Sequence, residues 1–478
     1  MPGRMIQGAA GYLPLLRLDK KAIRGALGWS GLGGGGKGHR AVAGWDEDAL
    51  TMAIEAARAL EGAAPARLTF ASTSAPFLDR SQAAIAVEAL NLARETETID
   101  VSGTRRCAVS ALRRALENGA GDEIIIAGEK RLARPGSAQS ADWGDGGGSV
   151  RVGDGKGVAR LLGAASVNAD LLDVYTTSAR RMPYASEERF VRDQAVAEIY
   201  APALGAALSA AGISGGDIQW AVVPEPVGGT YAAVAKALKL TAPNLCTEIA
   251  AAAGELGAAM PLFGLALALE RAMPGDRILL AGFGNGCDAL VLEMTGQATS
   301  KATQALIDQG AVLDNYGRFL NLTGNIDLEW GPRSEVNQKT SASVLLRHGR
   351  DMHGFIGGRD ERGNVQFPKT PIPVSPDHRG PETYEDIRLA DAPAKVLSIT
   401  ADRLNFTPDP PFYFGLIQFE NGARVAMEMC DLERGAPAVG DAMRMRFRIK
   451  AIDRQRDFRT YFWKAAPAER PALPVEMK

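Results

Sequence analysis

Histidine is scarce in this chain: the 478 residues hold His39, His348, His353 and His378, and none lies between positions 40 and 347. Chemistry in that long stretch must do without an imidazole, the usual general acid or base near neutral pH. Cysteine is equally sparse. Cys107, Cys246, Cys287 and Cys430 stand far apart, form no CxxC pair and follow no secretory segment. That pattern excludes a disulfide framework and fits a reducing, cytoplasmic setting. No window offers the roughly 18 uninterrupted apolar residues that cross a bilayer, so no membrane span is expected. A net charge of −2 gives no global attraction to polyanions, so nucleic acid is not an expected partner.

What is present reads as an ordinary globular enzyme, 46% hydrophobic and 23% charged, well away from the composition of disordered chains. Its length predicts more than one domain. Helical periodicity over 48–60 leads into the short apolar run 66–72 and a second helical stretch over 81–92; a helix over 109–117, the strand 123–128 and a glycine-rich strand approach over 144–152 follow. A second stretch repeats the grammar: a helix over 195–211, strand 218–224, helices over 231–238 and 258–270, then strands 277–283 and 288–293. Alternating helical and strand periods predict a layered α/β fold, and the repetition predicts an internal duplication. Residues 297–393 are rich in turn residues and prolines and read as a linker. Beyond 394 come five β-type runs, AKVLSITADRL, FYFGLIQFE, ARVAMEMC, AMRMRFRIKAI and FRTYFWKA, which predict a small barrel.

Three segments resemble the hydroxymethylglutaryl-CoA synthase and ketoacyl-ACP synthase III branch of the thiolase superfamily. Trp45 to Ala53 (WDEDALTMA) is similar to the acidic DEDxxTMA opening of the first helix. Asp100 to Leu112, followed by Gly144-Asp145-Gly146, is similar to the segment around the family's nucleophile. Gly254 to Ala259 (GELGAA), Pro274-Gly275-Asp276 and Gly282 to Gly286 are similar to the run GNTGxA…PGDxIL…GFGxG. The resemblance covers about residues 1–296. It implies a duplicated five-layered thiolase-like fold with halves of about 1–165 and 166–296, a homodimer, and coenzyme A as the carrier of the acyl substrate. Residues 394–478 resemble the OB-fold proteins that accompany thiolases as acyl-CoA-handling partners, which implies a small all-β OB-fold barrel and a thiolase as a further partner. In those proteins a zinc ribbon precedes the barrel. Here Arg359 to Pro368 and Ser375 to His378 stand where its two cysteine pairs would be, and without thiolates no metal is expected.

In the superfamily a cysteine at a helix N-terminus takes the acyl group, its pKa lowered by the helix dipole and a histidine. The pattern DTTxACYGGTxAL, laid without gaps on Asp100 to Leu112, puts the nucleophile on Arg105 and the first glycine on Cys107, about 200° further round the helix. The resemblance places the polarising histidine at Pro224-Glu225-Pro226 and the asparagine of GNxGxA at Glu255; the family's general acid/base glutamate would sit near Thr73-Ser74-Ala75, where no acid is found. The candidate catalytic residues are Arg105, Cys107, Glu225 and Glu255, with Gly284, Asn285 and Gly286 as substrate-binding residues. Arg105 is suited to gripping a carboxylate, Cys107 to accepting an acyl group, and the glutamates to moving a proton. Two functions follow from this altered set. One is CoA-dependent acyl transfer that makes or breaks a carbon–carbon bond on a β-keto or β-hydroxy acyl substrate. The other is a non-catalytic subunit that binds acyl-CoA or a thiolase. The fusion favours the enzyme, since a linked barrel is held at high effective concentration over the cleft.

Overall fold

The runs EIIIAGE and RILLAGF are apolar on both faces, the signature of strands covered by helices on either side, and the structure encloses them along almost their whole length. It is a computed structural model that describes residues 3–32, 37–297, 301–331, 342–376, 384–433 and 435–474. The first half contributes β1 (Met5–Tyr12), β2 (Arg67–Ala71), β3 (Glu97–Val101), β4 (Glu123–Glu129) and β5 (Gly146–Gly153). The second contributes β6 (Ala159–Asn168), β7 (Trp220–Val222), β8 (Arg277–Phe283) and β9 (Gly286–Met294). All are hydrogen-bonded in the order β7-β8-β9-β6-β1-β5-β4-β2-β3.

That order is a duplication written in hydrogen bonds. β2 runs parallel to β4, β4 antiparallel to β5 and β5 antiparallel to β1; β7 runs parallel to β8, β8 antiparallel to β9 and β9 antiparallel to β6. The halves meet where Met5 and Ile6 of β1 pair with Arg160 and Ala159 of β6. Helices α1 (Ala49–Ala57), α2 (Gln82–Ala89) and α3 (Cys107–Asn118) follow in the first half, and α4 (Ala201–Ala210), α5 (Thr230–Leu238), α6 (Leu245–Ala253) and α7 (Met260–Arg271) in the second. α3 touches β2, β4 and β5 on one side and β8 and β9 on the other, while α7 touches β1 and β5 as well as β7 and β8. These two helices form a middle layer, with α1 and α2 outside the first half's strands and α4 outside the second's. Glycines let helix backbones reach β5 from both faces: a Cβ on Gly147 would lie 2.4 Å from the Met52 carbonyl of α1, and one on Gly148 2.8 Å from the Phe263 amide of α7.

The C-terminal strands β10 (Ala394–Val396), β11 (Phe412–Phe419), β12 (Arg424–Glu428), β13 (Ala442–Asp453) and β14 (Phe458–Pro467) pair in a ring. β10 joins β11 and β13, β11 joins β12, and β13 joins β14. A parallel bridge from Met429, just past β12, to Ala465 of β14 closes the circuit. Trp463, Phe447 and Met445 share one apolar cluster with Ala49, Leu50, Ala53 and Ile54 of α1, which explains why every residue of α1 is buried.

The stretch 297–393, expected as a linker, is folded over much of its described length. Ala311–Leu313 pairs parallel with Leu16–Leu18, and the helix Tyr316–Leu322 buries Phe319 and Leu322 against Leu16, Leu18 and Val42. A further helix, Ala342–Gly354, leads to a three-stranded ribbon of Ile356–Arg359, Val365–Gln366 and Glu385–Arg388. Apart from the 13-residue helix Ala342–Gly354, its elements are too short to show periodicity, so the turn-rich composition does not mean an absence of structure.

Candidate active site

The approach to α3 and the approach to α7 converge on a small cleft. Arg105 closes one side, at the end of a turn in which Gly103 takes φ 90°. Glu255 and Gly257 form the other, ahead of α7, and Pro224, Glu225, Pro226, Pro261 and Phe283 complete a wall around a narrow cavity of about 10 Å³. Three of the four predicted catalytic residues thus stand in one cleft, brought from positions 105, 225 and 255 by the two halves.

Their circumstances differ. Glu255 accepts from Arg131 Nη2 at 2.5 Å and from the Gly257 amide at 2.8 Å. Burial pushes its carboxyl up, but the Arg131 and Arg105 cations outweigh that and hold it below the usual carboxylate range. Arg131, itself buried, lies with its guanidinium 4.1 Å from the Trp143 ring centroid and also donates to the Glu255 carbonyl at 2.6 Å. Glu255 is therefore a fixed, ionised carboxylate. Glu225 is committed to structure: one oxygen accepts the Tyr231 amide at 3.0 Å, in the first turn of α5, and the other the Thr247 hydroxyl at 2.7 Å. Arg105 donates to the Asp173 carboxylate, and burial lowers its pKa although Glu255 opposes the shift.

Cys107 is not among the residues lining the cleft. It is the first residue of α3, packed in the apolar core at 4% exposure; burial first and the Glu129 charge second push its thiol up to about 12. The expected acyl acceptor is a protonated core residue, because this helix start offers neither solvent nor a cation to favour the thiolate. Gly284, Asn285 and Gly286 form the tight turn between β8 and β9, all with positive φ. A Cβ on Gly284 would sit 2.3 Å from Thr104 Oγ1 and 3.0 Å from the Arg105 amide, and Thr104 Oγ1 donates to the Gly284 carbonyl at 2.7 Å. The turn thus braces the chain entering α3. The Asn285 side chain is directed at Asp170 and the Leu171 carbonyl at 3.5 and 3.4 Å.

Sequence reasoning missed Glu129, Arg131 and Asp173. Beside 73–75 stands an acid from another strand: Glu129, at the end of β4 and fully buried, accepts from the Thr73 amide at 2.7 Å, Thr73 Oγ1 at 2.9 Å and Ser74 Oγ at 2.5 Å, and from the Ala258 amide at 3.3 Å. Burial raises its pKa against these donors and Arg131. A charged triplet, Glu129-Lys130-Arg131, straight after an apolar run was the available signal, since sites of open α/β sheets gather at strand C-terminal ends. Among the described residues no cluster of histidine, cysteine and acids could hold a metal. His353 is buried against Glu88 at 2.6 Å, and His378 lies outside the described residues. Among the described residues no helix is long and apolar enough to cross a membrane.

Residues 208–294 match the family described as 3-oxoacyl-[acyl-carrier-protein] synthase III C terminal. Hydroxymethylglutaryl-CoA synthase of Aeropyrum pernix is 29% identical over 317 residues, 61% of this chain and 84% of that protein; the Pyrococcus furiosus enzyme of the same name is 28% identical over 300 residues, 59% and 83%. The fold is similar to a solved hydroxymethylglutaryl-CoA synthase complexed with CoA, with a TM-score of 0.57, 13% identity and coverage of 71% of this chain and 95% of that one. It is also similar to 3-oxoacyl-(acyl carrier protein) synthase III of Pseudomonas aeruginosa, with a TM-score of 0.54, 20% identity and coverage of 62% and 100%.

Proposed function

We propose that this chain, which is similar in sequence to hydroxymethylglutaryl-CoA synthases and in fold to that enzyme and to 3-oxoacyl-(acyl carrier protein) synthase III, is a thiolase-like, CoA-dependent acyltransferase that makes or breaks a carbon–carbon bond on a β-keto or β-hydroxy acyl substrate. The observation that carries the proposal is the pairing of an ionised carboxylate, Glu255, with the Arg105 guanidinium across the cleft where the two middle-layer helices begin. Coenzyme A is the expected carrier because a solved structural relative holds it. With no cysteine thiolate in reach, the step is non-covalent. In the cleavage direction, on a β-hydroxy acyl substrate, Glu255 takes the β-hydroxyl proton, the Cα–Cβ bond breaks, and its electron pair moves into the thioester as an enolate while the β-carbon leaves as a carbonyl. On a β-keto acyl substrate Glu255 takes the thiol proton of free CoA, the thiolate adds to the β-carbonyl, and the same bond breaks so that the acyl group leaves on CoA. The proton on Glu255 then returns to Cα. Arg105 faces the developing or standing negative charge.

We further assign the unit boundaries as 1–296, 297–393 and 394–478. The ring β10-β11-β12-β14-β13 is read as an OB-fold barrel, whose strand circuit closes the same way. A cytoplasmic homodimer is the expected form, with light scattering giving twice the 50.5 kDa chain mass. The test of function is incubation with 3-hydroxy-3-methylglutaryl-CoA and with acetoacetyl-CoA, following CoA esters by chromatography. Arg105→Ala and Glu255→Gln are each expected to lower turnover about 10²-fold, the scale for one well-placed electrostatic group. The buried, protonated Cys107 favours one alternative, a non-catalytic acyl-CoA-binding or thiolase-binding subunit. That reading wins if CoA esters bind without conversion and both variants behave as wild type.

A further inference from the structure

Arg105 already holds a carboxylate, and its source is unusual. Asp173 belongs to residues 169–187, a strap whose regular structure is the two-residue pairing of Val174–Tyr175 with Tyr184–Ala185. Ala169 and Leu171, at its start, pack on the apolar core of the second half; beyond them Leu172 is 56% exposed, and Tyr175 and Tyr184 are also exposed, whereas Asp173 is 9% exposed. The strap is closed on itself by the Ser186 amide on the Asp173 carbonyl at 2.9 Å, and Asn285 makes long contacts with Asp170 and Leu171 at its start. An inward acid on the largely solvent-facing stretch beyond Leu171 lands on the cation at the cleft wall.

We infer that Asp173 is a specificity-determining residue, an internal stand-in for a substrate carboxylate, which acyl-CoA substrates bearing a free carboxylate displace from Arg105. The inference rests on the proposed CoA-dependent function and narrows its substrate class. Exchange of one carboxylate for another leaves the guanidinium paired throughout. An acyl chain ending in a methyl group would leave Arg105 without its partner in a largely enclosed site, and an unpaired buried charge is costly. Release of the stretch from Leu172 onward asks little in return, since few backbone pairings hold it and its anchor in the apolar core, Leu171, lies before it.

The test is isothermal titration calorimetry of the full chain with succinyl-CoA and butyryl-CoA, matched in acyl length and differing in the terminal carboxylate. Wild type is expected to prefer succinyl-CoA. Asp173→Asn is expected to tighten succinyl-CoA about tenfold, within the usual range of coupling between competing groups, with little effect on butyryl-CoA, and Arg105→Gln to erase the preference. Limited trypsin digestion gives a second reading on unaltered protein: succinyl-CoA, and not butyryl-CoA, should speed cleavage at Arg180 and Arg181 as the strap leaves. A folded Asp173→Asn protein whose succinyl-CoA affinity is unchanged or weaker overturns the inference, as does trypsin cleavage indifferent to ligand. Failure of both esters to bind any variant removes the CoA reading itself, and the inference with it; equal affinity for both esters in wild type and Asp173→Asn removes the inference alone.

Discussion

A thiol attacks as its thiolate, and burial keeps Cys107 protonated at neutral pH. Cys107→Ala is therefore expected to leave turnover nearly unchanged and to cost about 1 kcal/mol of stability, the scale of a small core deletion. Loss of turnover in a folded variant would reinstate covalent catalysis. Glu255 makes the opposite case, since its carboxyl is held below the usual range in the folded state. A depressed carboxylate pKa supplies stability that is complete above the unfolded value, about 4.3 for glutamate, and is lost as pH falls through the folded value. The stability gap between wild type and Glu255→Gln, from urea melts, should therefore be widest at pH 6 and shrink below pH 4; a gap constant with pH would show that the Arg131 pair contributes nothing through charge. Arg105, Glu225 and Glu255 were legible because a gapless motif overlay fixes positions along the chain and the duplicated fold converts those positions into proximity. Asp173 was not, because it lies 68 positions from Arg105 on a segment without periodicity or motif. Arg131, 124 positions from Glu255, left the charged triplet as its trace, but no spacing rule links it to its partner.

The ribbon between the two large units keeps its shape through side-chain hydrogen bonds. Asp360 ends the strand Ile356–Arg359 and folds the turn around its own carboxylate, accepting the Arg362 and Asn364 amides at 2.9 and 2.8 Å and the Asn364 side chain at 2.8 Å. Gln366, on the returning strand, reaches the Ile372 carbonyl at 3.1 Å and accepts the Val374 amide at 3.0 Å. Side-chain hydrogen bonds do here what four zinc ligands do in a metal ribbon, namely tie two turns to one hairpin. The purified protein should contain no stoichiometric zinc by elemental analysis, and a chelator should leave its melting temperature unchanged. Asp360→Ala, which strands several amides, should cost about 1–3 kcal/mol; a chelator-sensitive melt would mean that a metal is bound after all. Prolines and glycines over 357–381 concealed the ribbon from a periodicity reading, since its strands are two to four residues long. Four of the five strands from 394 onward are 5 to 12 residues long and were legible as β-type runs.

For the molecule as a whole, the sequence reading pictured a barrel tethered over the cleft. The C-terminal strands are instead packed on α1 of the first half, and every residue found lining the cleft comes from positions 105–283. The acidic opening WDEDALTMA, legible as a motif, turns out to be its dock. Asp46 meets Lys464 at 3.0 Å, Glu47 meets Arg448 at 3.0 Å, and Asp48 accepts from Tyr461 at 2.8 Å. Glu55, further along α1, accepts from Arg446 Nη1 at 2.5 Å and from the Phe447 amide at 2.9 Å. Charges this deep stabilise little as pairs, because desolvation offsets their attraction, yet removing one partner strands the other. Arg446→Ala should therefore destabilise the protein by about 3–5 kcal/mol, although it lies outside the cleft. Because α1 and the barrel share one apolar cluster, that loss should appear in calorimetry as a single transition moved to lower temperature. Two separate transitions, with only one shifted, would mean that the barrel folds independently and that the tethered picture was right.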